Sequence, residues 1–257
     1  MKITFLGTGT SQGVPIVGCP CEVCHSKDPK DQRLRTSAFL EIGDTNILID
    51  AGPDLRQQLL SQRITKIDAL LVTHEHKDHI GGIDDLRPIN FIMHEPMNIY
   101  GMKRVLDVIH KDYDYAFKEF KYPGVPNLLL NPVKEEPFYI QGIEVIPIGV
   151  KHMHLPILGY RIGQFAYITD ASFIANKEIE KLYGVEILVI NALRWAEHYS
   201  HFNVEQALAI IEKVKPKQAY LTHIGHSMGK HEEANLKLPE GVCLGYDGLS
   251  LSTCPPN

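Results

Sequence analysis

The chain has 257 residues, 44% hydrophobic and 22% charged, enough to fill a sizeable core. Its formal net charge of −5 argues against an extended nucleic-acid surface, and no run approaches the roughly 18 apolar residues of a membrane span. The opening Met1-Lys2-Ile3-Thr4-Phe5-Leu6-Gly7 is too short an apolar stretch for a signal peptide, so a cytoplasmic protein is expected. No Gly/Ser/Pro-rich linker or internal repeat divides the chain, so residues 1–257 are expected to form one domain.

After the opening strand, the segment from Gly7 to Gly13 lacks the Gly-Lys-Ser/Thr ending of a phosphate-binding loop and reads as a tight turn. Three of the five cysteines follow: Cys19, Cys21 and Cys24. An odd trio in a reducing compartment is poor disulfide material, whereas CxCxxC spacing can wrap one zinc. A closed zinc site needs a fourth ligand, and the adjacent His25 would strain the loop. Cys243 and Cys254 read as bystanders. Residues 37–42 and 46–50 form a hairpin around Gly43-Asp44. It ends in Asp50, either the orienter of a metal ligand or a turn-initiating residue. Residues 54–63 read as a helix with Leu55, Leu59 and Leu60 on one face.

The apolar run 67–72 reads as a buried strand, and it ends in His74-Glu75-His76-Lys77-Asp78-His79. Packed imidazolium groups would repel one another, whereas neutral imidazoles and a carboxylate suit zinc, manganese or iron. His74, His76, Asp78 and His79 are therefore expected to serve two adjacent cations. Residues 80–83 read as a turn into a helix that breaks at Pro88, and 102–110 as a second helix. Tyr113, Tyr115, Phe117, Phe120 and Tyr122 make an aromatic stretch running into Pro123-Gly124-Val125-Pro126. Residues 94–135 are expected as an insertion, used as a lid, a sheet-edge cover or a homodimer contact. His94 and His110 read as ordinary surface or packing residues.

Strands at 138–140 and 143–148 lead into His152 and His154, which share one face of an extended segment. A hairpin of 159–162 with 165–170 ends in Asp170, and 187–191 is a buried strand. Arg194, His198 and His201 precede a helix capped by Asn203 and running to about 213. Arg194 could pair a phosphate oxygen or a surface carboxylate. A strand at 219–223 ends in His223.

An apolar strand ending in HxHxDH resembles the signature of the metallo-β-lactamase superfamily, and the likeness runs over essentially the whole chain. It implies an α+β fold, the four-layer αββα sandwich. It also implies one metal on His74, His76 and His152, and a second on Asp78, His79 and His223, with Asp170 bridging. The Cys triplet further resembles the branch typified by phosphoribosyl 1,2-cyclic phosphate phosphodiesterases. There the thiolates close a structural zinc with a His three residues after the last catalytic His, here His226 after His223. In that branch a ligand His lies seven residues before a Gly-Tyr-Arg hairpin, which selects His152 over His154. A general acid 22 residues before the last ligand selects His201 over His198. His201 and Asp78 are thus the expected catalytic side chains, Asp78 doubling as a ligand.

The implied activity is hydrolysis of a small cyclic phosphate ester by a hydroxide shared between two divalent cations, manganese or zinc. His76 stands where flavin-linked diiron oxidoreductases carry Glu, which argues against redox chemistry. The alternatives are a transfer-RNA 3′-end nuclease, a thioester or lactone hydrolase, and a non-catalytic metal carrier.

Overall fold

The computed structural model of the protein describes residues 1–120, 124–254 and 256. Tyr122 and Pro123 of the aromatic stretch lie outside the described residues.

Strands with a side-chain period of two can bury both faces only between two other layers. The chain solves this with two mixed sheets face to face. The first, among the described residues, contains β1 (Lys2–Gly7), β2 (Ser37–Ile42), β3 (Thr45–Ile49), β4 (Ala69–Leu71), β5 (Met97–Gly101) and β6 (Leu128–Pro132). The second contains β7 (Phe138–Ile140), β8 (Ile143–His152), β9 (Leu155–Ile162), β10 (Phe165–Ile168), β11 (Phe173–Ile174), β12 (Ile187–Asn191), β13 (Gln218–Thr222) and β14 (Val242–Leu244). β15 (Ser250–Ser252) returns to the first sheet beside β1.

Alternation along the strands sorts the core into three slabs. Ile47, Ile49 and Leu71 meet Tyr160, Phe165, Tyr167 and Val189 between the sheets. Leu48 and Leu70 point the other way, under α1 (Leu55–Gln62), α2 (Lys77–Ile80), α3 (Arg87–Met93) and α4 (Lys103–Asp112). Leu188 and Ile190 face out from the second sheet, under α5 (Asn176–Glu180) and α6 (Val204–Val214). The order is helix, sheet, sheet, helix, which is the expected αββα sandwich. A short α7 (His231–Asn235) packs beside β14.

Two local expectations change. Pro88 does not end a helix: it lies in the first turn of α3, where its missing N–H costs nothing and its fixed φ suits helix initiation. Residues 94–135 carry two strands of the first sheet, since β5 runs parallel to both β4 and β6. Tyr113, Tyr115 and Phe117 pack into the core beneath α4, while Phe120 is 91% exposed. His110 stacks on Phe117 with ring centroids 4.5 Å apart.

β3 pairs parallel with β4, and β10, β12 and β13 are mutually parallel. Their C-terminal ends release Asp50, the 73–76 segment, Asp170, Asn191 and His223.

Candidate metal centre

Asp50, Asp170 and His223 each leave a strand with positive φ, at 60°, 58° and 55°. Asp and His enter this region more readily than most residues, but it is still uncommon, and such backbone is held only where surroundings over-determine it. In each case the turn swings the next peptide away and leaves the side chain at the strand mouth.

The side chains converge there in two overlapping groups of donors. Asp78, His79, Asp170 and His223 present ligand atoms within 4.8 Å of one another, as do His152, Asp170 and His201. Asp170 belongs to both. His79 Nε2 lies 3.2 Å from Asp78 Oδ2 and 3.2 Å from Asp170 Oδ2, and His223 Nδ1 lies 3.0 Å from Asp170 Oδ2. His74 Nε2 and His76 Nδ1 face each other at 3.0 Å, and the His76 and His152 rings are 5.2 Å apart. His154 is exposed and outside these groups. His201, anticipated as an acid, stands among the donors, with Nε2 3.2 Å from Asp170 Oδ1. Arg194 bends back onto the carbonyls of Ala196 and Glu197.

A ring of hydrogen bonds behind the donors decides which nitrogen His74, His79 and His152 offer. Fully buried Asp50 accepts from Thr73 N, from Thr73 Oγ1 and from His79 Nδ1–H, at 2.8, 2.8 and 2.7 Å. Because the Thr73 hydroxyl donates to Asp50, it accepts from His74 Nδ1–H at 3.0 Å. One carboxylate therefore fixes the tautomers of His79 and His74 and leaves both Nε2 atoms free. His152 Nδ1–H donates to the carbonyls of Asp170 (2.9 Å) and Ser200 (2.8 Å), which frees its Nε2 too. Asn191 grips both backbone groups of Ala171, at 2.8 and 2.9 Å, and so holds the peptide that follows Asp170.

The electrostatics match a cation site. Burial holds His74 and His152 below the usual imidazole range and His223 at about 4, so these rings are neutral. Burial disfavours the charged forms of Asp78 and Asp170, yet the facing imidazoles pull both carboxyls below the ordinary range. Burial opposes charge on His79 as well, but the Asp170, Asp50 and Asp78 carboxylates outweigh it and raise its pKa. His79 Nε2 is buried and has no hydrogen-bond partner, although two carboxylate oxygens are near. Several inward carboxylates, neutral imidazoles and one orphaned ring nitrogen fit divalent cations.

Three residues beyond His223, His226 presents Nδ1 to Cys19, Cys21 and Cys24 at 3.2, 3.4 and 3.5 Å. Bonds of about 2.3 Å to sulfur and 2.0–2.1 Å to nitrogen put the edges of a zinc tetrahedron near 3.5 Å. The Cys24 backbone N–H lowers the Cys21 thiol to about 6, whereas burial raises Cys24 to about 11. His226, not His25, is the imidazole facing the thiols. Cys243 and Cys254 stay apart.

Thr73, Asn191 and Ser200 were not legible as site residues. Asn191 left one signal: it is a polar residue closing an otherwise apolar strand. Thr10, whose Oγ1 is 3.3 Å from His223 Nε2, lies in the glycine-punctuated turn that was read as purely structural.

A sandwich of this layering with His and Asp at its strand mouths is the architecture of a superfamily of metal-dependent enzymes, and comparison with known proteins agrees. Residues 45–224 match the model of the beta-lactamase superfamily domain. A solved diphosphatase of the PhnP family is 40% identical, with a TM-score of 0.91 over 97% of this chain and 96% of that one. An octanoyltransferase of Porphyromonas gingivalis is 45% identical over 97% of this chain, but the chain spans only about half (51%) of that relative's length. Coenzyme PQQ synthesis protein B of Methylobacterium sp. (strain 4-46) is 32% identical, over 98% of this chain and all (100%) of that protein. The chain belongs to the metallo-β-lactamase superfamily, in its PhnP branch.

Among the described residues, no helix is long and apolar enough to cross a membrane.

Proposed function

We propose that the protein is a metal-dependent hydrolase, a phosphodiesterase that opens a small cyclic phosphate ester. The observation that carries this reading is Asp170. It stands in both donor groups, with His201 within 3.2 Å of its outer oxygen. That arrangement suits a bridging carboxylate with a proton donor at its edge.

His74, His76, Asp78, His79, His152, Asp170 and His223 would hold two divalent cations, manganese or zinc. Cys19, Cys21, Cys24 and His226 would hold a separate structural zinc. When bound, the pair of cations supplies Lewis acidity toward a phosphoryl oxygen and makes water a nucleophile at neutral pH. The chain's own part is orientation and proton supply. Asp50, Thr73 and the carbonyls of Asp170 and Ser200 keep His79, His74 and His152 each in one tautomer. His201 delivers a proton from Nε2 to the leaving alkoxide, while its Nδ1 is engaged by Ser200 Oγ at 2.8 Å. The partner is a small phosphoester, the net charge of −5 arguing against an extended nucleic-acid surface.

A second reading, hydrolysis of a diphosphate bond, is favoured by the 40% identical diphosphatase. The test is a rate comparison on manganese-reconstituted protein with a ribose 1,2-cyclic phosphate, a 2′,3′-cyclic nucleotide and a nucleoside diphosphate ester. Preference for the cyclic sugar phosphate supports the first reading, and preference for the diphosphate supports the second. No turnover of any of them refutes both and brings thioesters and lactones forward. In the same assay, His201→Ala is expected to lower kcat by about 10²–10⁴-fold; full activity in that variant would remove His201 as the acid.

A further inference from the structure

We propose that Arg104 is a positioning residue for the cation-binding loop, acting as a strap between ligand segments from the two sheets. The inference rests on the reading above that His74, His76 and His152 hold cations. The loop from Val72 to His76 has no regular structure, so its shape must be set from outside. Glu75 sits between His74 and His76, and its side chain is only 18% exposed. One of its oxygens is buried without a partner, and the other accepts from Arg104 Nη1.

The same guanidinium donates through Nη2 to the Pro156 carbonyl at 2.6 Å. Pro156 lies in β9 opposite Lys151, one register step from the His152–Leu155 pair. Arg104 thereby spans the first-sheet segment carrying His74 and His76 and the second-sheet hairpin carrying His152. Its own place is fixed by α4, whose Val105, Leu106 and Ile109 are sunk in the core. The far end of that helix holds the loop again, through Asp112 and Lys77. Without Arg104, Glu75 would be a half-desolvated carboxylate with no counter-charge, and it would turn to water, taking its flanking imidazoles along. Arg suits the task because its planar fork holds two acceptors on two separate nitrogens at a fixed spacing, whereas an ammonium's donors all leave one atom.

The experiment measures manganese and zinc affinity of the metal-free protein by competition with a chromophoric chelator, together with the melting temperature of the metal-free form. The variants are Arg104→Ala, Arg104→Lys, Glu75→Gln, the double Glu75→Gln/Arg104→Ala, and His74→Ala. Arg104→Ala is expected to weaken cation binding on the order of tenfold, the lower end of what partners behind metal ligands contribute. Arg104→Lys should recover part of the loss, and the double variant should be weaker by less than the product of the single losses. Affinity within twofold of wild type in Arg104→Ala, or fully multiplicative losses in the double variant, overturns the proposal whatever the melting temperature does. If Arg104→Ala does not fold, Arg104→Lys and Glu75→Gln decide on the same criterion. His74→Ala reports on the underlying reading: if it binds cations as wild type does, the metal assignment and this proposal fall together. If it loses a cation while Arg104→Ala does not, this proposal falls alone.

Discussion

Replacing Asp50 by Asn isolates the role of one carboxylate in choosing imidazole tautomers. Asn is close to Asp in size and tolerates the left-handed φ of 60°, so the backbone has no reason to move. The carboxylate accepts three hydrogen bonds, two of them at Oδ2. An amide offers one acceptor and one donor, so its NH2 must face either the Thr73 N–H or the Thr73 hydroxyl and His79. In the first case a buried donor is left unsatisfied, at about 1–3 kcal/mol. In the second, His79 is driven to accept at Nδ1 and carry its proton on Nε2, the nitrogen aimed at Asp78 and Asp170. The Thr73 hydroxyl then no longer needs to donate inward, and the tautomer of His74 is released as well. Partners behind metal ligands contribute about 10–100-fold in affinity, which is about 1.4–2.8 kcal/mol at roughly 1.4 kcal/mol per tenfold. Asp50→Asn is therefore expected to weaken manganese binding by that range in a chelator competition. The melting curve of the metal-free variant, recorded alongside, shows whether it folds. Unchanged affinity in a folded variant would refute the tautomer argument.

Cys24→Ser is expected to remove one equivalent of zinc measured by elemental analysis and to lower the melting temperature, while cation binding at the His/Asp cluster persists; retention of that equivalent would show that the thiol cluster is not a zinc site. His231, held at about 4 by burial and by the facing Arg33 and Lys30 charges, accepts from Arg33 Nη2 at 3.1 Å. Its depressed folded pKa means that the unfolded chain binds the extra proton between about 6.5 and 4, so stability falls as pH drops through that window. His231→Gln keeps an acceptor for Arg33 and should flatten this loss relative to wild type in urea titrations at pH 7 and pH 5. Parallel curves for the two proteins would count against it.

Much of the fold was legible because burial on two faces leaves a simple trace. Residues 187–191 and 219–223 are short apolar runs that stop at Asn191 and at Thr222-His223, and a strand mouth is where such polar residues can project. β5 and β6 do not show in the sequence for physical reasons: Leu128-Leu129-Leu130 has no period that separates strand from helix, and Asn98 interrupts the apolar run of Met97–Gly101. Within the candidate site, His and Asp stood out because so few other roles bring them together. The hydroxyls of Thr73 and Ser200 did not, since their task is set by what lies across a turn. The place of His201 beside Asp170 depends on a loop that hydrogen bonds draw back over the mouth of β10; only the 22-residue spacing taken from the resembling branch pointed to it, and nothing local to the loop does.

The thiol cluster closes a very long loop. Cys21 and His226 are 205 positions apart, and His223 completes the other cluster at almost the same point of the chain. At synthesis rates of about 5–20 residues per second, roughly 10–40 s separate the two ends of that loop on the ribosome. Throughout that interval the cysteines have no imidazole partner, and the His74–His79 loop lacks its last histidine. Neither cluster can be assembled domain-first from the N-terminus. Both close together, when β13 docks and the 223–226 turn arrives between them, so on the proposed reading metal capture would wait for that docking, and a stalled chain carries unprotected thiols.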